Sequence, residues 1–291
     1  MEHKIETLDE NNAATDPRIQ FSGRIDRLSI ASAVIGGAGF WLLAVLSLGL
    51  TRDGATFAAA WLPNACAVAF LLRARLSNEV PFLTAIVLAS VLSYAFDGGE
   101  NAAALIYSLA SLVGVATIVW VTRRTCGPRP DMAETAHLAW FVWAGGVIGP
   151  LISASVAIFA LLPSRASLWD SALSWFLAQS MAMVLIVPTV LLIVDALRSD
   201  ARPARAILAE RAVLLILSLL AVFLVFDQTM LPLLFVVPPI TLLHAFRLGS
   251  LGTAIFVSLA AVIAVATTSQ GQEGIARLAT NKIGRELVQR N

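Results

Sequence analysis

Two short elements of this chain set an aromatic ring, a carboxamide and a helix-interrupting proline close together in otherwise apolar sequence: Trp61, Pro63 and Asn64, and again Trp175, Gln179 and Pro188. These residue types suit recognition more than bond-breaking. An apolar pocket with a few orienting polar groups is the usual form of a small-molecule site. A carboxamide in such surroundings must hydrogen-bond a neighbouring helix or a ligand. Both outcomes are open for Asn64 and Gln179, whereas Asp97 and Asp170 read as solvated helix ends.

Catalytic groups are scarce. The three histidines, His3, His137 and His244, lie far apart in sequence, and so do the two cysteines, Cys66 and Cys126. No set of His, Cys and carboxylates has metal-ligand spacing, and no Gly-rich loop leads into a helix carrying a lysine. No metal site and no cofactor is expected, and no loop is long enough to hold a soluble catalytic domain. The chain reads as a non-enzyme, with both thiols free.

The elements that must position the two amides are long apolar stretches. Hydrophobic residues make up 58% of the chain and charged residues 13%, too few to solvate a globular surface of this size. Nine stretches qualify as membrane spans: Leu28–Leu50, Ala55–Leu72, Val80–Phe96, Asn101–Val121, Leu138–Leu162, Ser171–Val194, Ala212–Phe226, Thr229–Phe246 and Leu248–Thr268. The fold class is therefore all-α, a polytopic transmembrane helical bundle. Residues 1–27 form a polar amino-terminal segment, 28–268 the membrane domain and 269–291 a polar carboxyl-terminal segment. The polar start has none of the design of a cleaved signal peptide.

Basic residues set the orientation. Counting loops from a cytoplasmic amino terminus, fourteen of the twenty Lys and Arg fall inside, among them Arg73, Arg123, Arg124, Arg198 and Arg247, and only Arg52 and Arg165 fall in outside loops. Lys and Arg stay cytoplasmic, so the amino terminus is read as inside, in a bacterial inner membrane. The dispersed charges form no patch for nucleic acid. Arg277, Lys282, Arg285 and Arg290 follow the ninth stretch and would fall on the wrong side, so either one span is re-entrant or a tenth follows. The second is expected, because the chain stops inside a helix-forming run.

A repeated offset appears in the helices read as running inward. Pro63 precedes Arg73 by ten residues, Gly114 precedes Arg124 by ten, Pro188 precedes Arg198 by ten and Pro238 precedes Arg247 by nine. At 1.5 Å per residue this puts a helix-weakening residue about 15 Å from the cytoplasmic face, near mid-bilayer. Broken helices at that depth often line a cavity.

The run Trp61-Leu62-Pro63-Asn64-Ala65, continuing through Phe70-Leu71-Leu72-Arg73, resembles the signature of the membrane-associated sensor domain family, the first of the MASE types. Ser174 to Pro188 is similar to that family's aromatic, small-residue helix. Pro238-Pro239 through Arg247-Leu248-Gly249 to Gly252 is similar to its Pro-rich helix closed by an Arg-x-Gly turn. The chain departs from the pattern at Ala65, Gln179 and Ala182, and lacks the late proline near Gly271 and Gly274. A proton- or cation-sensing carboxylate therefore does not carry over to Gln179.

The resemblance implies an integral membrane input domain, joined in the family to cytoplasmic signalling modules that this sequence does not contain. Expected partners are membrane lipid, an unidentified small-molecule signal, a second copy of the chain, and an output module of histidine kinase or diguanylate cyclase type. These belong to two-component and cyclic-di-GMP signalling respectively. The competing functions are a small-molecule permease and a membrane assembly subunit. Orientation has a direct check: Cys126 should react with an impermeant thiol reagent in inside-out vesicles and stay protected in intact cells, and labelling from outside would invert every loop assignment.

Overall fold

The computed structural model describes residues 27–49, 61–74, 79–96, 101–161, 168–199, 205–227 and 233–289. Among these residues the secondary structure is entirely helical. The order is α1 (Arg27–Gly49), α2 (Leu62–Arg73), α3 (Glu79–Phe96), α4 (Asn101–Cys126), α5 (Thr135–Trp143), a π-helical turn (Ala144–Ile148), α6 (Gly149–Leu161), α7 (Leu168–Arg198), α8 (Arg205–Asp227), a 3-10 turn (Leu233–Val236) and α9 (Val237–Gln289). Residues 1–26, Asp97 and residues 55–60 of the expected second span lie outside the described set.

Among the described residues five segments are long and apolar enough to cross a membrane: Ala103–Cys126, Thr135–Ala160, Leu168–Arg198, Ile207–Phe226 and Val237–Thr267. Three apolar helices are shorter, Ala33–Ser47, Leu62–Arg73 and Glu79–Ser93. Nine full spans are not confirmed, for physical reasons visible at α2 and α9. The second apolar stretch forms a helix of only 12 residues, about 18 Å, against a hydrocarbon core of about 30 Å. The eighth and ninth stretches share α9, and they are divided at Gly249, where φ 69° and ψ −168° are open only to glycine.

The chain reverses at that glycine. His244 and Phe256 stack with ring centroids 4.1 Å apart, whereas twelve residues of straight helix would separate them by about 18 Å. A Cβ on Gly252 would sit 2.2 Å from that of Leu248, so the turn also needs its second glycine. The hairpin packs on α8 around Val222, Phe256 and Ala260.

α2 is the hub of the main core. Ala65, Val68, Leu71 and Leu72 are buried against Phe40 of α1, Phe82 of α3, Ile118 of α4, Phe141 of α5 and Met183 of α7. Its neighbours α1, α4 and α7 surround it. Eight of its residues, from Pro63 to Leu72, are buried. A helix this enclosed carries apolar and small residues all round, because it has no solvated face.

The repeated Pro/Gly offset resolves into three different devices. Pro63 lies in the first turn of α2 and Pro238 in the first turn of α9, where a missing N–H costs nothing, so both start helices and break none. Gly114 sits in unbroken α4 at a close crossing, where a Cβ would meet that of Ser153 on α6 at 2.9 Å. Only Pro188 is interior to its helix.

Crossing distance is tested by a pair of glycines. A Cβ on Gly149 would lie 2.2 Å from Cγ1 of Ile118, while one on Gly39 meets nothing within 4 Å. Gly149→Ala should destabilise the bundle by about 1–3 kcal/mol through overpacking. Gly39→Ala should stabilise it by about 0.5–1 kcal/mol through helix propensity. Unfolding of the two variants in mixed micelles checks both signs.

Candidate functional site

The two ends of α2 are treated differently. At its carboxyl end three of the last carbonyls have a donor: Ala74 N–H to Phe70 O at 2.8 Å, Arg123 Nη2 to Leu71 O at 2.6 Å and Arg73 Nη1 to Leu72 O at 3.4 Å. The same arginines clasp the neighbouring helices. Arg73 donates to both carboxylate oxygens of Asp195 on α7, at 3.0 and 2.5 Å, and to Pro130 O in the α4–α5 connection at 2.9 Å. Arg123 pairs with Glu79 at the start of α3 at 2.6 Å. These contacts gather the end of α2, the start of α3, and the ends of α4 and α7 on one side of the bundle.

In the connection that Arg73 grips, Cys126 donates its thiol to His137 O at 3.7 Å, and Asp131 N–H donates to His137 Nδ1 at 3.2 Å. The same imidazole nitrogen is 3.1 Å from Glu134 Oε2. His137 is therefore a structural residue of this turn. Sequence reasoning treated the arginines as orientation signals alone and missed Glu79 and Asp195. The acidic residues at helix ends opposite Arg73 and Arg123 were the signal.

The amino end of α2 is left open. No side chain caps it, and Pro63 removes one of the N–H groups that a first turn leaves without an intrahelical acceptor. Trp61 N–H reaches across to Ala178 O of α7 at 3.3 Å, which fastens this end to the turn that carries Gln179. The Oδ1 atom of Asn64, a residue 1% exposed, has no hydrogen-bond partner. A buried acceptor without a donor costs about 1–3 kcal/mol. Here it lies beside the positive end of a helix in the apolar core.

The sequence-predicted residues divide into three places. Trp61, Pro63 and Asn64 form the open end of α2, and Gln179, 4% exposed, adjoins the Ala178 carbonyl that anchors it. Trp175 lies one turn earlier on α7, where Nε1 donates to Ser153 Oγ at 3.0 Å and the indole stacks on Tyr107 at 5.3 Å. Pro188 is nine residues beyond Gln179, about 13 Å along the helix, and belongs to the contact with α9. There Thr189 Oγ1 and Ser258 Oγ are 2.8 Å apart, and Ser258 donates to Leu185 O at 3.0 Å.

Two further polar positions matter for the scaffold. Pro150 cannot donate to the carbonyl four residues back, and Ser180 of α7 donates to that oxygen, Gly146 O, at 2.8 Å. Across the Gly249 reversal, His244 is fully buried with Nδ1 2.9 Å from Ile240 O. A carbonyl only accepts, so Nδ1 carries a proton, and Nε2 has no partner. Among the described residues no group of His, Cys, Asp and Glu could hold a metal ion.

The clasp can be weighed by double-mutant cycles. Arg73 is 8% exposed in its side chain and makes a two-pronged contact, so its coupling to Asp195 should reach about 1 kcal/mol or more. Arg247 and Glu210, 3.5 Å apart with side chains 65% and 66% exposed, should couple by only a few tenths, about 0.3 kcal/mol. Equal couplings would remove any special role from the α2–α7 pair.

Comparison with known proteins follows the same lines. No curated protein and no solved structure matches this chain. The MASE1 family model matches residues 32–279, which takes in every helix of the core just described. The chain belongs to MASE1, a family of membrane-associated sensor domains.

Proposed function

We propose that this chain is the signal-input domain of a bacterial signal-transduction protein in the inner membrane, with its amino terminus in the cytoplasm. The signal is a small molecule held at the open end of α2. Asn64 and the first-turn amides orient it, Gln179 contacts it from α7, and Trp61, Pro63, Trp175 and Pro188 shape the apolar surroundings. The output module is cytoplasmic and of histidine kinase or diguanylate cyclase type.

One observation carries this reading: the Trp61 to Ala178 hydrogen bond holds an uncapped helix end, with the unpartnered Asn64 oxygen, against α7 inside the core. A ligand that pairs these groups gains what the empty site forgoes, and it gains it only while α2 and α7 keep this relation. That difference between two arrangements is what a ligand needs to shift an equilibrium. The route outward runs along both helices to the Arg73–Asp195 clasp at their far ends. Basic residues crowd that side of the bundle, which supports its assignment to the cytoplasm.

The test joins this chain to a reporter kinase or cyclase and compares output with protein abundance for Asn64→Leu and Gln179→Leu. Both variants should insert and accumulate, because an interhelical amide bond averages only about 0.6 kcal/mol. Output per molecule should change several-fold. Output that merely follows abundance would assign both amides to helix packing.

A further inference from the structure

The outer seam between α6 and α7, away from the basic end, contains a groove of about 560 Å³. Its floor is made of small residues, Ala154 and Ala172, with the exposed Ser155 at its edge, and its walls of Leu151, Leu173 and Phe176. This volume falls in the range of about 300–1,000 Å³ typical of small-molecule sites. On α7 the lining runs from Leu168 to Phe176, the first turns of the helix, about 12 Å along its axis. Trp169, 75% exposed, stands at the polar end beside Asp170, while Leu151 and Leu173 are 56% and 42% exposed toward the membrane.

We infer that this groove holds the alkyl chain of a lipid-soluble molecule that enters sideways from the bilayer. Two side chains of the lining carry polar atoms: Ser155, which already donates its hydroxyl to Leu151 O at 2.8 Å, and Trp169, whose indole N–H lies at the exposed end. Between these ends the groove asks for no hydrogen bond, and an occupant with polar atoms along its body would leave them unpaired at a cost. A docking helix is disfavoured as well. Membrane helices meet closely where small residues repeat four apart, but Ala154 is followed by Ile158 and Ala172 by Phe176. Bulky side chains interrupt the bed that a helix would need, and a flexible chain threads between them.

Lipid tails are as apolar as leucine, so no hydrophobic gain drives entry. Selection comes from dispersion contacts with the recessed floor, which an annular lipid on a convex helix does not make. The floor is also the back of a functional element. Ala154 packs in one cluster with Trp175, and Phe176 packs against that cluster. Filling the groove thus presses on the indole that is bonded to Ser153, one turn before the carbonyl that fastens α2. The inference stands apart from the signal site at α2, and an alkyl ligand here needs no occupant there.

The experiment uses the full chain in phosphatidylcholine liposomes with a neutral probe, hexadecanol carrying a photoactivatable diazirine, and maps adducts by mass spectrometry. Adducts on Leu151, Leu173 and Phe176 should saturate as the probe's mole fraction rises and be displaced by unmodified hexadecanol. Adducts on Leu220 and Leu224 of α8, which are 53% and 56% exposed, should rise in proportion to probe. Ala172→Phe fills the floor and should lower the groove adducts about tenfold while leaving those on α8 unchanged. Groove adducts that rise in proportion, as on α8, would reduce the groove to ordinary boundary lipid. Absence of groove adducts together with cross-links between copies would hand it to a second chain, and either result overturns the inference. The saturation and competition arms rest on the unaltered chain, so they decide the matter even if the filled variant folds poorly.

Discussion

In hydrocarbon no water completes a hydrogen bond, so every backbone N–H and C=O must find its partner within the protein. α2 puts this constraint at the centre of the molecule. Being 12 residues long, it begins and ends where neighbouring helices, and not solvent, must satisfy it. Its carboxyl end draws in two arginines whose guanidinium groups serve carbonyls and carboxylates together. Those arginines fix α3, α4 and α7 relative to one another, and the apolar core forms around the helix they hold. Its amino end is fastened by Trp61 N–H to Ala178 O, and the Asn64 oxygen beside it stays without a donor in the core.

Elsewhere the same rule is met by trading groups between helices. A proline silences one donor and so frees the carbonyl four residues earlier. At Pro150 the freed oxygen is taken by Ser180, which converts a local defect in one helix into a bond to another. Next to Pro188 the hydroxyls of Thr189 and Ser258 meet at a carbonyl other than the one this proline frees. They share Leu185 O and make a polar link between the main bundle and the last hairpin.

The apolar stretches were legible in the sequence because hydrocarbon demands a continuous run, which needs no periodicity to detect. Depth of crossing was less legible, because a twelve-residue helix and a full span share the same composition. Trp61, Asn64 and Gln179 could be singled out as buried polar groups, and the structure brings the first two to the turn of α7 that carries the third. Trp175 and Pro188 could not be placed, since sharing a helix with Gln179 says nothing of which neighbour each one meets. The arginine clasp escaped for a different reason. Basic residues at helix ends satisfy the topology rule whether or not they also bind, so composition alone does not separate the two uses. Reversal at Gly249 was foreshadowed by the break between the eighth and ninth stretches, but only the positive φ explains why glycine stands there.

The π-helical turn between α5 and α6 closes on a bond from Gly149 N–H to Ala144 O, five residues apart where an α-helix would use four. One residue is therefore surplus to the regular winding, and one residue rotates a helix by about 100°. On one side of the turn Phe141 is fully buried, and a Cβ on Gly145 would lie 3.0 Å from its ring and 3.4 Å from Met183 Cβ. On the other side Gly149 and Ser153 face α4. Both faces are inward only because the surplus residue offsets one half of the helix against the other. Loss of a single codon here would leave every side chain type intact and still swing Phe141 toward the lipid, so this stretch is more sensitive to its length than to its letters.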